Sequence, residues 1–128
     1  MTDAKVVDAS ALAALLFDEP EAASVARKLQ GGTLLAPTLL GFELANVCLM
    51  KIRRHPQFQA EFLAAFRARE NLRIETVEVD QTETIALAQQ TGLTAYDASY
   101  LWLAHETRAG LVTLDKQLAA AASAIDGA

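Results

Sequence analysis

The chain predicts an α/β fold in which a parallel sheet is covered by helices on both faces. Three observations carry that expectation. Short aliphatic runs alternate with longer stretches of helical periodicity, the pattern of repeated strand–helix–strand units. Aspartate follows two of those runs directly, at Asp8 and Asp115, where a strand hands over to a helix. Finally, 52% of the 128 residues are hydrophobic, enough apolar material for a real core.

Taken in order, "KVV" (residues 5–7) is the first strand, and "ASALAALLF" continues from Asp8 as a helix. "DEPEAASVARKLQGG" gives a turn and an exposed second helix, stopped by Gly31 and Gly32. "TLLA" (33–36) is the second strand. Pro37 is expected near the start of a long helix reaching about Arg54, where its missing N–H costs nothing. Pro56 interrupts that helix, and another runs from Gln57 to Glu70. "RIETVEV" (73–79) is the third strand, and Asp80 with Glu83 opens a helix ending at Gly92. In "TAYDASYLWLA" Thr94 is the expected N-cap and Asp97 the third helical residue of a helix reaching Arg108. Gly110 ends the following turn, "LVTL" (111–114) is the fourth strand, and "KQLAAAA" follows Asp115. No repeat or low-complexity linker breaks residues 1–128, which read as a single domain.

Sixteen acidic residues against eleven basic ones give a net charge of −5. That argues against nucleic-acid binding by bulk electrostatics but leaves room for a local patch. Cys48 is the only cysteine, so neither an intrachain disulfide nor a multi-cysteine metal site is expected, which fits a reducing cytoplasm. "MTDAKVVDAS" lacks the basic-then-apolar order of a signal peptide, and no run of about 18 uncharged apolar residues appears, so no membrane association is expected.

The acids then narrow the function. Asp8 and Asp115 fall at the carboxyl ends of expected parallel strands, the edge where open α/β sheets bind ligands. Capping is the plainer role open to both, and Asp80, in the same setting, is assigned only that. Asp97 has the same alternative through Thr94. Glu43 does not. In "PTLLGFELANVCLMK" its neighbours at helical spacing are Leu39, Leu40, Asn46, Val47 and Met50, which puts a carboxylate on an apolar stripe. Unpaired and buried there it would protonate, yet no Lys or Arg stands three or four residues away, and Asn46 is its only polar companion. A structural hydrogen bond to backbone is the alternative for Glu43. Asp8, Glu43, Asp97 and Asp115 are therefore candidates for one edge of the sheet. Like charges gathered there cannot all stay ionised without a counterion. Oxygen ligands without Cys or His select a hard cation, Mg²⁺ or Mn²⁺. His55 and His105 lie outside the pattern.

"VVDASAL", "PTLLGFELANV", "TAYDASYLWLA" and "LVTLDKQLA" resemble, in order and spacing, the blocks of PIN-domain ribonucleases, most closely the VapC toxins of bacterial VapBC toxin–antitoxin pairs. The resemblance implies a three-layer α/β/α PIN-like fold with a central parallel sheet of four to five strands, "SAI" (123–125) supplying a very short last one. It implies a Mg²⁺-dependent (or Mn²⁺-dependent) endoribonuclease leaving a 5′-phosphate and a 3′-hydroxyl, a homodimer, and inhibition by a cognate VapB-like antitoxin. By position it makes Asp8, Glu43, Asp97 and Asp115 the acidic site, with Ser10 and Thr113 as flanking hydroxyl residues. Where some relatives carry a further acid this chain has Ala119, which weakens the implication of a second metal.

Within that chemistry Asp8 and Asp97 are the candidates for direct metal contact. Glu43 ligates through water or acts as base, and Asp115 binds metal or orients water. RNA backbone contacts are expected from Lys51, Arg53, Arg54 and Lys116, although the first three also suit a solvated helix end. Leftover apolar surface on the Pro37–Arg54 and Tyr96–Arg108 helices is expected to serve the dimer and the antitoxin. Two other classes compete: a catalytically silent PIN-like binding domain, and a phosphoacceptor receiver-like domain, which would not need Glu43 on an apolar stripe.

Overall fold

Val6 and Val7 are both fully buried, although successive strand side chains point to opposite faces, so the strand they form is covered on both sides. A computed structural model describes residues 3–126. In it β1 (Lys5–Val7) leads into α1 (Ala9–Leu16) and α2 (Ala22–Leu29), and β2 (Leu34–Pro37) into α3 (Leu40–Arg54) and α4 (Gln59–Arg67). β3 (Glu75–Val77) leads into α5 (Gln81–Thr91) and α6 (Ala95–Thr107), and β4 (Gly110–Val112) into α7 (Lys116–Asp126). All pairings are parallel, in the order β3-β2-β1-β4.

The chain thus steps outward from β1 to β3 and then returns past β1 to place β4. Right-handed crossovers put α1 to α4 on one face and α5 and α6 on the other. The packing agrees: α1 lies on α2 and α3, and α3 on α4, while α6 rests on β1, β2 and β4 and carries α5 and α7. This is the expected three-layer α/β/α arrangement, and strand order reverses between β1 and β4. Leu12, Leu44, Leu103 and Leu118 are fully buried between the layers. Each such side chain contributes about 1.5–3 kcal/mol of transfer free energy.

Several boundaries differ from the sequence reading. Pro37 is the last residue of β2, paired with Val77, and not a helical residue. A proline without an N–H is tolerated where a ladder ends, and the Thr38 N–H then donates to the Val77 carbonyl at 3.2 Å. β3 keeps only the middle of "RIETVEV", with Glu75 and Thr76 exposed on the sheet edge. "SAI" lies inside α7, so among the described residues the sheet has four strands. The alanine-rich run before it favours helix strongly enough to carry through. The turn after α2 does need its glycines. Gly31 has φ +79°, and a Cβ on Gly32 would collide with the Asp3 carbonyl oxygen at 1.9 Å. No described helix is long and apolar enough to cross a membrane.

Candidate active site

β1 and β4 end side by side at the reversal of strand order, the place where open α/β sheets hold ligands. Asp8 follows β1 and caps α1. Its Oδ1 accepts the Ala11 N–H at 3.0 Å and the Ser10 hydroxyl at 2.7 Å, and its Oδ2 accepts the Thr113 hydroxyl at 2.6 Å. The Leu114 N–H donates to Ser10 Oγ at 2.9 Å, and the Asp115 N–H donates to Thr113 Oγ1 at 3.0 Å. Two hydroxyl side chains therefore stitch the loop after β4 to the start of α1, with the Asp8 carboxylate at the knot, only 5% exposed.

Asp115 does not follow β4 directly, because Thr113 and Leu114 intervene. Its carboxylate caps α7, accepting the Leu118 N–H at 2.9 Å. Asp97 is the third residue of α6, and its N–H donates to Thr94 Oγ1 at 3.1 Å, so Thr94 is the N-cap as expected. Glu43 lies in the first turn of α3, and its Oε1 accepts the Tyr100 hydroxyl at 2.5 Å. The sequence reading missed Tyr100. A signal existed: a tyrosine on a buried helix needs a partner for its hydroxyl, and Glu43 needed a donor.

The four carboxylates share one electrostatic field. Burial pushes the Asp8 carboxyl above its usual value, and Asp115 adds to that, against hydrogen bonds from Thr113, Ala11 and Ser10 that pull it down. Glu43 is likewise raised by burial, opposed by the Tyr100 hydroxyl, and raised again by Asp97 and Asp8. Asp97 is raised by burial, then by Asp115 and Asp8, with the Thr94 hydroxyl opposing. Burial and Glu43 keep the Tyr100 hydroxyl protonated and available as a donor. No lysine or arginine is among the groups acting on these acids. Among the described residues, no three His, Cys, Asp or Glu side chains form a ready cation cage.

The remaining candidates are dispersed. Asn46 is exposed one turn beyond Glu43 and makes no hydrogen bond to it. The Lys51 ammonium is 3.5 Å from Glu19 and lies 5.1 Å from the Phe17 ring centroid. Arg53 and Arg54 are exposed in the last turn of α3, roughly 15 Å along the axis from Glu43. Lys116 is exposed beside Asp115, and His55 and His105 are exposed away from the acids.

The PIN domain family model matches residues 5–124, nearly the whole chain. The chain belongs to the PIN domain family. This PIN domain is 34% identical over 122 residues to Ribonuclease VapC3 of Pyrobaculum aerophilum, covering 89% of this chain and 91% of that protein. It also matches the crystal structure of PAE2754 from Pyrobaculum aerophilum, with a TM-score of 0.70 and 29% identity over 94% of this chain and 87% of the other. The VapC-like resemblance read from the four blocks is borne out, and the receiver-like alternative is set aside.

Proposed function

We propose that this PIN domain is a metal-dependent endoribonuclease acting as the toxin of a toxin–antitoxin pair. The observation that carries the reading is that Asp8 feels the charge of Asp115, Glu43 that of Asp97 and Asp8, and Asp97 that of Asp115 and Asp8, while no lysine or arginine among the described residues acts on Asp8, Glu43 or Asp97. Membership of the PIN family and the likeness to Ribonuclease VapC3 support the same reaction class.

The donor chemistry fits a hard divalent cation. Every candidate ligand atom is a carboxylate oxygen, and their mutual repulsion is what such an ion relieves. Mg²⁺ is characteristically held by one or two carboxylates, with water filling the other positions. Asp8 and Asp97 would hold the ion, with Glu43 and Asp115 beside it. Bound there, the ion supplies Lewis acidity toward a phosphoryl oxygen and acidifies water.

The protein's own part is positioning and proton transfer. Ser10 and Thr113 fix the Asp8 carboxylate, and Tyr100 fixes Glu43. Glu43, held by Tyr100, takes a proton from water as the water oxygen attacks phosphorus in line. The bond to the 3′ oxygen breaks and that oxygen takes a proton from solvent water, leaving a 3′-hydroxyl and a 5′-phosphate. Lys116, exposed and next in sequence to Asp115, is the candidate for a contact with the RNA backbone.

The proposal includes a homodimer and a VapB-like antitoxin that covers the acids. Phe42, Leu49 and Met50 are exposed apolar residues on α3, surface of the kind that interfaces cover. RNA cleavage should vanish in EDTA and return with excess Mg²⁺ or Mn²⁺; cleavage that persists in EDTA defeats the metal assignment. Light scattering at micromolar concentration should report a dimer, and saturating antitoxin should suppress cleavage.

A further inference from the structure

A groove of about 760 Å³ lies beyond the carboxyl ends of β2 and β3, and nothing in the reaction above uses it. Its walls come from the segments that follow those strands, from the start of α5 and from the first turns of α6. Two of its lining residues stand one helical turn before site residues. Leu39 accepts the Glu43 N–H at 3.1 Å, and Tyr96 precedes Tyr100, the residue that holds Glu43, by four positions. Tyr96 and Tyr100 therefore share one stripe of α6, and the groove continues the site outward along it.

The lining chemistry is selective. Tyr96 is 65% exposed and Ile85 is 56% exposed, so an aromatic face and an aliphatic face are open to whatever enters. The side chains of Thr38, Gln81 and Thr82 are exposed and make no hydrogen bond within the described chain, which leaves neutral donors and acceptors free. Among the described lining residues only Glu78 is charged, so no cationic side chain in the groove selects for a phosphate. Stacking surface plus neutral hydrogen-bonding groups is what an unstacked nucleobase needs, and sequence-reading of RNA works mainly on such bases.

We infer that the Tyr96 groove is a subsite for one nucleobase of single-stranded RNA flanking the scissile phosphate, with Tyr96 as stacking platform and specificity determinant. This rests on the nuclease reading of the four carboxylates. The test compares wild type, Tyr96→Ala and Tyr96→Phe on oligoribonucleotides carrying a single 2-aminopurine or a single abasic residue at each position in turn. Base-stack quenching of 2-aminopurine is read in EDTA, and cleavage is read in Mg²⁺. Wild type and Tyr96→Phe should quench the probe and cleave the intact strand on the order of 10- to 100-fold faster than the strand abasic at one fixed position. Tyr96→Ala should lose both the quenching and that discrimination, while its melting curve stays unchanged. Quenching equal in all three proteins, or absent from all, overturns the subsite, as does a Tyr96→Ala variant that dissociates a dimer in light scattering. If wild type quenches the probe but cleaves nothing, the nuclease reading fails and the subsite stands. If all three cleave with the same discrimination, the nuclease reading stands and the subsite fails.

Discussion

At Asp8 and at Asp80 the chain passes from a strand to a helix, and each carboxylate accepts the N–H three residues on, at 3.0 Å from Ala11 and 2.9 Å from Glu83. The caps are alike and the surroundings are not. Asp80 is exposed at the foot of α5, beyond the edge strand β3, and its carboxylate has that single bond. Asp8 is buried beside the central strand, receives two further hydroxyl bonds, and feels Asp115 across the gap where strand order reverses. A cap needs one acceptor oxygen. A carboxylate that engages both oxygens does more than cap: Asp8 also ties the loop after β4 to the start of α1.

The strongest way to sharpen the comparison removes one member of the cluster. Asp97→Asn should cut RNA cleavage by more than about 100-fold. Because the acids repel one another, the metal-free variant should be as stable as wild type or more so. If Asp97 were only a helix-end residue, cleavage would be intact and stability would fall. Next comes Asp8→Ala. It strands the Ser10 and Thr113 hydroxyls and the Ala11 N–H, so it should abolish cleavage and cost about 1–3 kcal/mol in urea unfolding, partly offset by removal of a buried charge.

A smaller effect tests Glu43. The Tyr100 hydroxyl pulls the Glu43 pKa down against burial, so Tyr100→Phe should raise it further. The acid limb of the cleavage–pH profile should move to higher pH, and the rate at neutral pH should fall about 10-fold, the scale of losing a group that orients a ligand. The same raised values govern stability. For Asp8, Glu43 and Asp97 the folded pKa lies above the unfolded one, so the folded state binds more protons between the two. Their contribution is fully present below about pH 4 and is lost as pH rises through the folded values. In EDTA the melting temperature should therefore decline over that rise. A metal-free melting temperature that climbs instead would contradict the shared field.

What the sequence could disclose follows from where the information lies. Alternating strands and helices, the Thr94 and Asp80 caps and the anomaly of Glu43 were all legible, because each is a local pattern in neighbouring residues. The partner of Glu43 was not, since Tyr100 lies 57 positions away and reads locally as one more core aromatic. The bond from Thr113 to Asp8 spans 105 positions and depends on β1 lying next to β4, a neighbour relation that no local pattern contains. Pro37 and "SAI" went astray for a different reason. Each was assigned by a rule that fits two structures: proline suits a helix start or a strand end, and a short aliphatic run suits a strand or the tail of an alanine-rich helix. Lys51 reads as a free cation at a helix end, whereas in space it meets Glu19 and Phe17.

The smallest expected effect is also the cleanest control. Asp80→Ala removes one exposed cap from α5 and should cost about 1 kcal/mol in urea unfolding, the usual worth of a side-chain N-cap. It should leave the metal requirement unchanged and lower cleavage at most slightly, through the groove whose wall begins at Gln81. α5 packs on α6, which carries Asp97 and Tyr100, so fraying at the foot of α5 has a path toward the site. That path is weak, because the cap bond is at the exposed end of the helix while Tyr100 and its neighbours on α6 are buried. A cleavage loss near that of Asp97→Asn would mean that α5 positions the carboxylates. The distinction between a carboxylate that only caps and one that also serves the site would then have to be redrawn around helix packing.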